Sequence, residues 1–204
     1  MALVLIGMSN SGKTYWSKKL EKEKGYQYFG CDDYIQKKLN FKSMDNLSFW
    51  LGFPYEKNYP KNSRLYLQYE KEAVEMALKL IKNNQNKKIV IDTTGSIVHL
   101  PLYYLKKLSL LSKIIYLKIE KKAIKNMINL YFNNPKPVIW GNFFKKEKNK
   151  DPIENLKESY PKLLSFRQKR YQKFAHITLD SFQIRNNNFS ANDFLKMINL
   201  KNND

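Results

Sequence analysis

The chain has 204 residues, and its 37 Lys and Arg against 18 Asp and Glu give a formal net charge of +19. Hydrophobic residues make up 43% of it and aromatic residues 14%, which is too much apolar mass for an intrinsically disordered segment. This length suits one domain, so a single domain over residues 1–204 is expected. No apolar run reaches the roughly 18 to 20 residues that a membrane-spanning helix needs, so no membrane partner is expected.

The only cysteine is Cys31, which excludes an intramolecular disulfide. A chain without disulfides is typical of a reducing compartment. The sequence therefore predicts a cytoplasmic location.

The positive charge raises the question of a nucleic-acid partner, because Lys and Arg release counterions from a phosphate backbone. Only four of the basic residues are arginines, namely Arg64, Arg167, Arg170 and Arg185. Arginine is the preferred residue for reading bases and clamping phosphates, and none lies between Leu65 and Phe166. The excess of lysine therefore indicates a compositional bias, and a nucleic-acid substrate is not expected.

Short apolar runs alternate with helical patterns along the chain. The predicted strands are Leu3–Ile6, Tyr26–Phe29, Ile89–Ile91, Ile114–Ile119 and Ile177–Leu179. The predicted helices are Thr14–Lys24, one from about Asp33, Pro101–Leu108, Lys121–Tyr131 and about Ser190–Leu200. The strands are continuously apolar, which is typical of a parallel sheet covered by helices on both faces. The predicted fold class is α/β.

The stretch Ile35–Lys82 lies outside this alternation. It predicts a short helix over Ser43–Leu51, a break at Gly52-Phe53-Pro54, and a long helix that opens near Asn62 or Ser63. Apolar residues recur every three or four positions along the long helix, which indicates a face packed into the core.

A second stretch, Asn133–Pro152, combines three prolines with a Lys-rich centre and is predicted to be irregular. Long loops in compact domains are usually functional or disordered. We interpret this stretch as a candidate lid, with an ordinary solvated loop as the alternative.

One motif stands between the first predicted strand and the first predicted helix, and it reads Gly7-Met8-Ser9-Asn10-Ser11-Gly12-Lys13-Thr14. It fits the phosphate-loop pattern G-x-x-x-x-G-K-[ST]. The glycines let the backbone wrap so that N–H groups point inward, and the helix N-terminus adds the positive end of a dipole. All eight residues are therefore expected to bind ATP, with Lys13 on the outer phosphates and Thr14 on Mg²⁺. The alternative is a glycine-rich turn with a solvated lysine.

The predicted strand Lys88-Ile89-Val90-Ile91-Asp92 ends in an acid. This is the form of the second phosphate-loop element, whose acid holds Mg²⁺. The ends of such strands face the ligand crevice, so Asp92 is a candidate metal ligand together with Thr14. A turn-initiating or helix-capping aspartate is the alternative.

Two acids, Asp32 and Asp33, follow the second predicted strand. Asp32 is a candidate to orient an acceptor hydroxyl and take its proton, provided that it stands within hydrogen-bond reach. Asp33 is predicted to cap the helix that begins at Tyr34.

Taken in this order, the motifs resemble those of the shikimate kinase family over nearly the whole chain. Tyr28-Phe29-Gly30-Cys31-Asp32-Asp33-Tyr34-Ile35 resembles the family segment F-x-D-x-D-x-x-I. Asp32 matches the acid that contacts the substrate hydroxyl and is thought to act as base, whereas the family's first acid is Gly30 here. The segment from Val90 to Ser96 resembles the strand that ends in a three-glycine substrate loop, of which Gly95 is kept.

The resemblance continues toward the C-terminus. Leu163–Tyr171 with Ala175 resembles the family helix carrying R-x-P-L-Y, which implies that Arg167 binds a substrate carboxylate. Lys136-Pro137-Val138-Ile139 resembles the lid motif R-P-L-L, with Lys136 at the lid arginine that reaches nucleotide and substrate.

The family motif F-R-x-x-E falls on Tyr66-Leu67-Gln68-Tyr69-Glu70, so Leu67 replaces a second carboxylate-binding arginine. Arg64 lies three residues earlier on the same predicted helix and is a candidate replacement. The resemblance also implies a five-stranded parallel sheet in the order 2-3-1-4-5, a substrate-binding region at about residues 34–72 and a lid at about 133–152.

Together these features predict an ATP-dependent kinase that phosphorylates a hydroxyl on a small polar metabolite, with shikimate as the first candidate. ATP and Mg²⁺ are the expected cofactors, Lys13, Asp32 and Lys136 the expected catalytic residues, and Asp32, Arg64, Gly95 and Arg167 the expected substrate ligands. The alternatives are a kinase for a nucleoside, nucleotide or polynucleotide end, and a non-catalytic ATP-binding module. We expect the protein to be a monomer whose partner is a small-molecule hydroxyl acceptor.

Overall fold

The structure is a computed structural model that describes residues 1–120, 131, 136–147, 149–185 and 189–200. Its five parallel strands form one sheet in the order β2-β3-β1-β4-β5. The strands are β1 (Ala2–Ile6), β2 (Gln27–Gly30), β3 (Ile89–Asp92), β4 (Lys113–Lys118) and β5 (Ile177–Asp180). The α/β class and the strand order are both confirmed.

Seven α-helices surround the sheet in the described part of the chain. They are α1 (Lys13–Lys24), α2 (Cys31–Lys38), α3 (Met44–Leu51), α4 (Tyr59–Asn83), α5 (Leu102–Leu111), α6 (Pro152–Phe174) and α7 (Ala191–Leu200), with short 3-10 turns at Ile97–His99 and Gln183–Arg185. The helix predicted over residues 121–131 lies outside the described residues except for Tyr131. None of the described helices combines the length and apolar character that crossing a bilayer requires.

The long helix α4 begins at Tyr59, ahead of the predicted start at Asn62 or Ser63. Pro60 occupies its first turn, where a missing backbone N–H removes no helical hydrogen bond and the fixed φ suits a helix. The extension places Tyr59 beside the segment that follows residue 136.

The two faces of the sheet pack against different helices. Val4 and Ile6 of β1 point into a core that contains residues of α4, α5 and α6. Leu3 and Leu5 point into a second core with α1 and α7, where the rings of Trp16 and Phe194 stack with centroids 4.5 Å apart. Every residue of β1 and β3 is buried, as expected for central strands covered on both faces.

Candidate functional site

The loop Gly7–Gly12 joins β1 to α1, as the motif predicts. Its backbone has φ of 148° at Gly7, 61° at Asn10 and 96° at Gly12, in a region that favours glycine. A Cβ on Gly7 would stand 2.8 Å from the carbonyl oxygen of Leu117 on β4. Only glycine therefore fits at the first position of the loop.

The Lys13 side chain lies folded over this loop. Its Nζ donates hydrogen bonds to the carbonyl oxygens of Gly7 at 3.1 Å and Met8 at 3.0 Å. Burial lowers the pKa of Lys13, whereas the carboxylates of Asp92 and Asp32 act in the opposite direction. A buried cation with two nearby acids is therefore placed at the mouth of the loop.

A hydrogen bond joins the loop to the end of β3. The hydroxyl of Thr14 donates to Oδ2 of Asp92 at 2.5 Å, while Oδ1 of Asp92 is buried without a partner among the described residues. Burial raises the pKa of Asp92, and Lys13 and the Thr14 hydrogen bond oppose that shift. The side chain of Asp92 bonds to Thr14 rather than to a following turn, so the geometry favours the metal-ligand interpretation over the cap.

These two side chains fit a magnesium ion. Mg²⁺ prefers oxygen ligands, and proteins usually supply one or two carboxylates while phosphates and waters complete the octahedron. The orphaned Asp92 oxygen beside the Thr14 hydroxyl provides such a partial ligand set. In the described ranges, no group of three or more His, Cys, Asp and Glu side chains could hold a metal by itself.

Asp32 lies in the first turn of α2, at the carboxyl end of β2. Its Oδ1 accepts a 3.3 Å hydrogen bond from the hydroxyl of Tyr66 on α4. Burial raises the pKa of Asp32 to about 6, with Lys13 lowering it and Asp92 raising it further. This acid is therefore held near the loop with a pKa close to neutrality.

The prediction that Asp33 caps α2 is wrong. The helix begins at Cys31 directly after β2, so Gly30 is its N-cap and makes no side-chain cap hydrogen bond. Asp33 is exposed within the first turn and accepts a 2.7 Å hydrogen bond from the Tyr28 hydroxyl. The strand runs straight into the helix and leaves no turn for a capping side chain.

Sequence reasoning assigned no role to Glu70, which is completely buried on α4. Its Oε1 accepts hydrogen bonds from the hydroxyls of Thr94 and Ser96, the latter at 2.8 Å, and burial raises its pKa to about 8. Glu70 therefore fixes the loop that follows β3. A signal was present, because Glu70 lies four residues after Tyr66 and three before Ala73, on the apolar stripe of the helix.

Gly95, in the middle of that loop, packs between the phosphate-loop motif and α6. A Cβ on Gly95 would lie 3.4 Å from the backbone N of Ser9 and 3.5 Å from Nη1 of Arg167. The hydroxyl of Tyr171, also on α6, donates a hydrogen bond to the Gly95 carbonyl oxygen. The structure thus brings Gly95 and Arg167 together beside the loop, as the resemblance implied.

Arg167 is buried, with 3% of its surface exposed. Its Nη2 donates a 2.7 Å hydrogen bond to the carbonyl oxygen of Ile139, and its Nε has no partner among the described residues. One side of the guanidinium group thus holds the backbone after Lys136, while the Nη1 side faces Gly95.

Residues 136–147 of the candidate lid contain no helix or strand, as predicted, whereas Pro152 at its end begins α6. Residues 133–135 and 148 lie outside the described residues. Val138, Ile139 and Trp140 are buried, whereas Gly141, Asn142 and residues 145–147 are exposed. The Tyr59 hydroxyl donates to the Val138 carbonyl oxygen at 3.1 Å and accepts from the Trp140 N–H at 2.7 Å.

Arg64 takes a different position from the one expected. It is exposed on α4, and its Nε donates a 3.0 Å hydrogen bond to the carbonyl oxygen of Pro60, one turn back along the same helix. Leu67, at the family's arginine position, packs partly buried against the core. The structure does not bring Arg64 to the site, so it does not support Arg64 as the replacement for the missing arginine.

Several candidate residues line one cleft of about 180 Å³, while Asp92 and Arg167 lie next to its walls, against Thr14 and Gly95. Its walls include Lys13, Thr14, Asp32, Gly95 and Lys136. Lys136 approaches from the lid side, where its Nζ lies 3.3 Å from Oδ1 of Asp45 on α3. The cleft therefore combines the phosphate-loop motif, two lysines and an acid with a raised pKa.

Neither family models nor curated protein sequences match this chain. Solved structures do match it. The shikimate kinase of Acinetobacter baumannii in complex with shikimate has a TM-score of 0.61 at 19% identity, with 98% of this chain and 91% of that chain covered. The chain has the shikimate kinase fold. The shikimate kinase of Aquifex aeolicus has a TM-score of 0.57 at 17% identity, with 100% of this chain and 96% of that chain covered. The shikimate kinase of Bacteroides thetaiotaomicron has a TM-score of 0.60 at 14% identity, with 98% of this chain and 97% of that chain covered.

The shikimate kinase fold explains why these residues meet. The loop after β1, the first turn of α2 and the end of β3 all lie at the carboxyl edge of adjacent parallel strands, where open α/β sheets bind their ligands. In the strand register both Leu5 and Gly30 lie opposite Asp92. Residues far apart in sequence therefore share one edge of the sheet.

Proposed function

We propose that this protein is an ATP-dependent kinase that transfers the γ-phosphoryl group of ATP to a hydroxyl of a small polar metabolite, with shikimate as the first acceptor to test. The observation that carries the proposal is the cleft lined by Lys13, Thr14 and Asp32, in which Thr14 is hydrogen-bonded to Asp92 behind it. Fold alone does not determine activity, so the argument rests on these side chains.

The loop Gly7–Thr14 and Lys13 would bind the phosphates. Backbone N–H groups of such a loop cradle the phosphate oxygens. The Lys13 ammonium group would exchange its bonds to the Gly7 and Met8 carbonyl oxygens for phosphate oxygens. Lys136, from the other wall of the cleft, would add positive charge where negative charge develops during transfer.

Thr14 and Asp92 would hold Mg²⁺. When bound, this ion would supply positive charge that neutralises the phosphate oxygens. The Thr14 hydroxyl, which is bonded to Asp92 in this structure, would bind the ion instead. Oδ1 of Asp92, which has no partner among the described residues, would be the second protein oxygen available to it.

Asp32 would orient the acceptor hydroxyl and take its proton. With a pKa of about 6, this carboxyl is mostly ionised at pH 7 yet basic enough to share a proton in the transition state. The hydrogen bond from Tyr66 fixes its Oδ1, which leaves the other oxygen to the acceptor.

Gly95 and Arg167 would contact the acceptor. Gly95 has no side chain, so the space beside Ser9 stays open to the acceptor. The Nε of Arg167 is a buried donor that has no partner among the described residues. Leu67 stands where the family has a carboxylate-binding arginine, and Arg64 is bonded to the Pro60 carbonyl oxygen. A carboxylated acceptor is therefore less well supported here than in the family. We further propose a single cytoplasmic domain that acts as a monomer on a small molecule.

The test is ADP release from Mg-ATP by the full chain, without acceptor, with shikimate, and with a panel of hydroxylated metabolites that includes nucleosides. Acceptor-dependent release that Lys13→Ala abolishes is the expected result. ATP binding without release for any acceptor would refute the kinase proposal and leave a nucleotide-binding module. Rates that fall steeply with salt, seen only with an oligonucleotide, would indicate a polynucleotide substrate instead.

A further inference from the structure

A larger cavity of about 750 Å³ lies next to the cleft, between α3, the start of α4 and the lid side. The cleft itself has about 180 Å³, below the roughly 300–1,000 Å³ of typical small-molecule sites. The reacting groups fit in the cleft, but the body of an acceptor needs more room. The outer cavity supplies that room.

The two cavities share a wall. Lys136 lines both of them, and Met44 lines the cleft where its neighbour Asp45 lines the outer cavity. A molecule whose hydroxyl reaches Asp32 can therefore extend past Lys136 into the outer cavity.

Aromatic side chains line much of the outer cavity. Phe49 is 90% exposed there, so its ring is accessible to a ligand. Phe53 is held in place because it stacks on Tyr55 at 5.5 Å and meets the Tyr131 ring edge-on at 5.8 Å. Trp50 adds a third aromatic wall, packed against Phe41. Such a wall suits a flat ring.

Among the residues that the structure describes, the charges around the outer cavity balance, although the whole chain carries +19. Its charged residues are Asp45 and Glu56 against Lys61 and Lys136. Asp45 is paired with Lys136, while Glu56 folds toward the backbone of Gly52 and has no salt bridge among the described residues. The cavity is thus a poor site for a phosphate or polyanion and a good one for an uncharged group with N–H donors.

We propose that the outer cavity binds a planar aromatic ring that carries N–H donors and belongs to the same molecule as the acceptor hydroxyl, which is the chemistry of a nucleoside. The ring stacks on Phe49 and Phe53, and its donors face Glu56. This inference rests on the proposed kinase function and specifies its acceptor.

The test is calorimetric titration of the full chain, saturated with Mg²⁺ and a non-hydrolysable ATP analogue so that the nucleotide site is filled. The probes are adenosine and guanosine, each paired with its analogue lacking the exocyclic amino group, namely purine riboside and inosine. At least one amino-bearing nucleoside should bind tenfold or more tightly than its analogue. The same nucleoside should stimulate ADP release from Mg-ATP.

Two variants locate the binding. Phe49→Ala and Glu56→Gln should each weaken binding about tenfold, and both spare the core because Phe49 and Glu56 are exposed. Tyr103→Ala, which removes another exposed aromatic ring on α5, should leave the affinity unchanged.

The outcomes separate this inference from the proposed function. Phosphorylation of shikimate or another alcohol without an aromatic ring, with no nucleoside bound, would overturn the ring site and leave the kinase intact. Nucleoside binding that neither Phe49→Ala nor Glu56→Gln weakens would also overturn it. Binding that both variants weaken, without ADP release for any acceptor, would support the ring site and refute the kinase activity.

Discussion

Thr14 and Asp92 are 78 positions apart in sequence, yet the hydroxyl of one donates a 2.5 Å hydrogen bond to the carboxylate of the other. The bond exists because β1 and β3 are neighbours in the sheet, so the loop after one strand meets the end of the next. It joins the phosphate-loop motif to the residue that the sequence predicts as a metal ligand.

This pair leads to a prediction about magnesium. Asp92→Asn should raise the Mg²⁺ concentration needed for half-maximal ADP release about tenfold or more, because an amide oxygen is a weaker ligand for a hard cation than a carboxylate. The comparison is Asp180→Asn, which alters the acid at the end of β5. Equal magnesium dependence in wild type and Asp92→Asn would rule out the metal role of Asp92.

Asp32 should determine how activity falls at acid pH. A base must be ionised to accept a proton, so with a pKa of about 6 kcat/KM should fall roughly tenfold per unit as the pH drops below 6. Asp32→Asn should lose about 10²- to 10⁴-fold in kcat and remove this fall at acid pH. Asp33→Asn is the matched control, because its exposed carboxylate bonds to Tyr28. A profile that stays flat down to pH 5 would contradict the assignment.

Glu70 should make stability depend on pH. Burial raises its pKa from 4.5 to about 8 in the folded protein, so folding takes up a proton between these values. Its contribution to the free energy of unfolding is fully present below pH 4.5 and is lost as the pH rises through 8. As the pH rises between these values, the free energy of unfolding of the wild type should therefore fall relative to that of Glu70→Gln, by up to about 1.4 kcal/mol per pH unit.

Urea unfolding at pH 5, 6.5 and 8 measures this trend. Glu72→Gln provides the comparison, because it removes a partly exposed acid from the same helix, where Glu72 lies 3.6 Å from Lys38. A difference between wild type and Glu70→Gln that does not change with pH would show that Glu70 is not buried in this way.

Arg167 and Arg64 should behave differently when each is replaced by alanine. Arg167→Ala leaves the Ile139 carbonyl oxygen without its donor and removes the group beside Gly95, so KM for the acceptor should rise tenfold or more. Arg64→Ala should change KM less than twofold, because that side chain is exposed and bonded to Pro60. Arg170→Ala, one turn along α6, controls for loss of charge. A large rise in KM for Arg64→Ala would restore its predicted role in substrate binding.

Much of the fold could be predicted from local patterns. The phosphate-loop motif and the buried apolar strands placed β1, β3 and β4 to within about a residue at each end, because these strands are covered on both faces and need no alternation. The order of the strands was available only through the family resemblance, since periodicity does not say which strands pair.

Other features depend on long-range contacts. Helix α6 runs for 23 residues with Pro161 inside it, although proline normally predicts a break. Asp33 follows a common capping pattern, but the direct passage from β2 into α2 leaves it nothing to cap. Arg64 was placed from helical spacing, which fixes the face of a helix but not the direction of a long flexible side chain.

The Tyr59 hydroxyl holds both the carbonyl of Val138 and the N–H of Trp140, while Arg167 holds the carbonyl between them. Three consecutive residues after Lys136 are thus attached to α4 on one side and α6 on the other. Lys136 stands two residues before this anchor and lines the cleft. The position of Lys136 in the wall of the cleft therefore depends on contacts that two different helices make with the residues just after it.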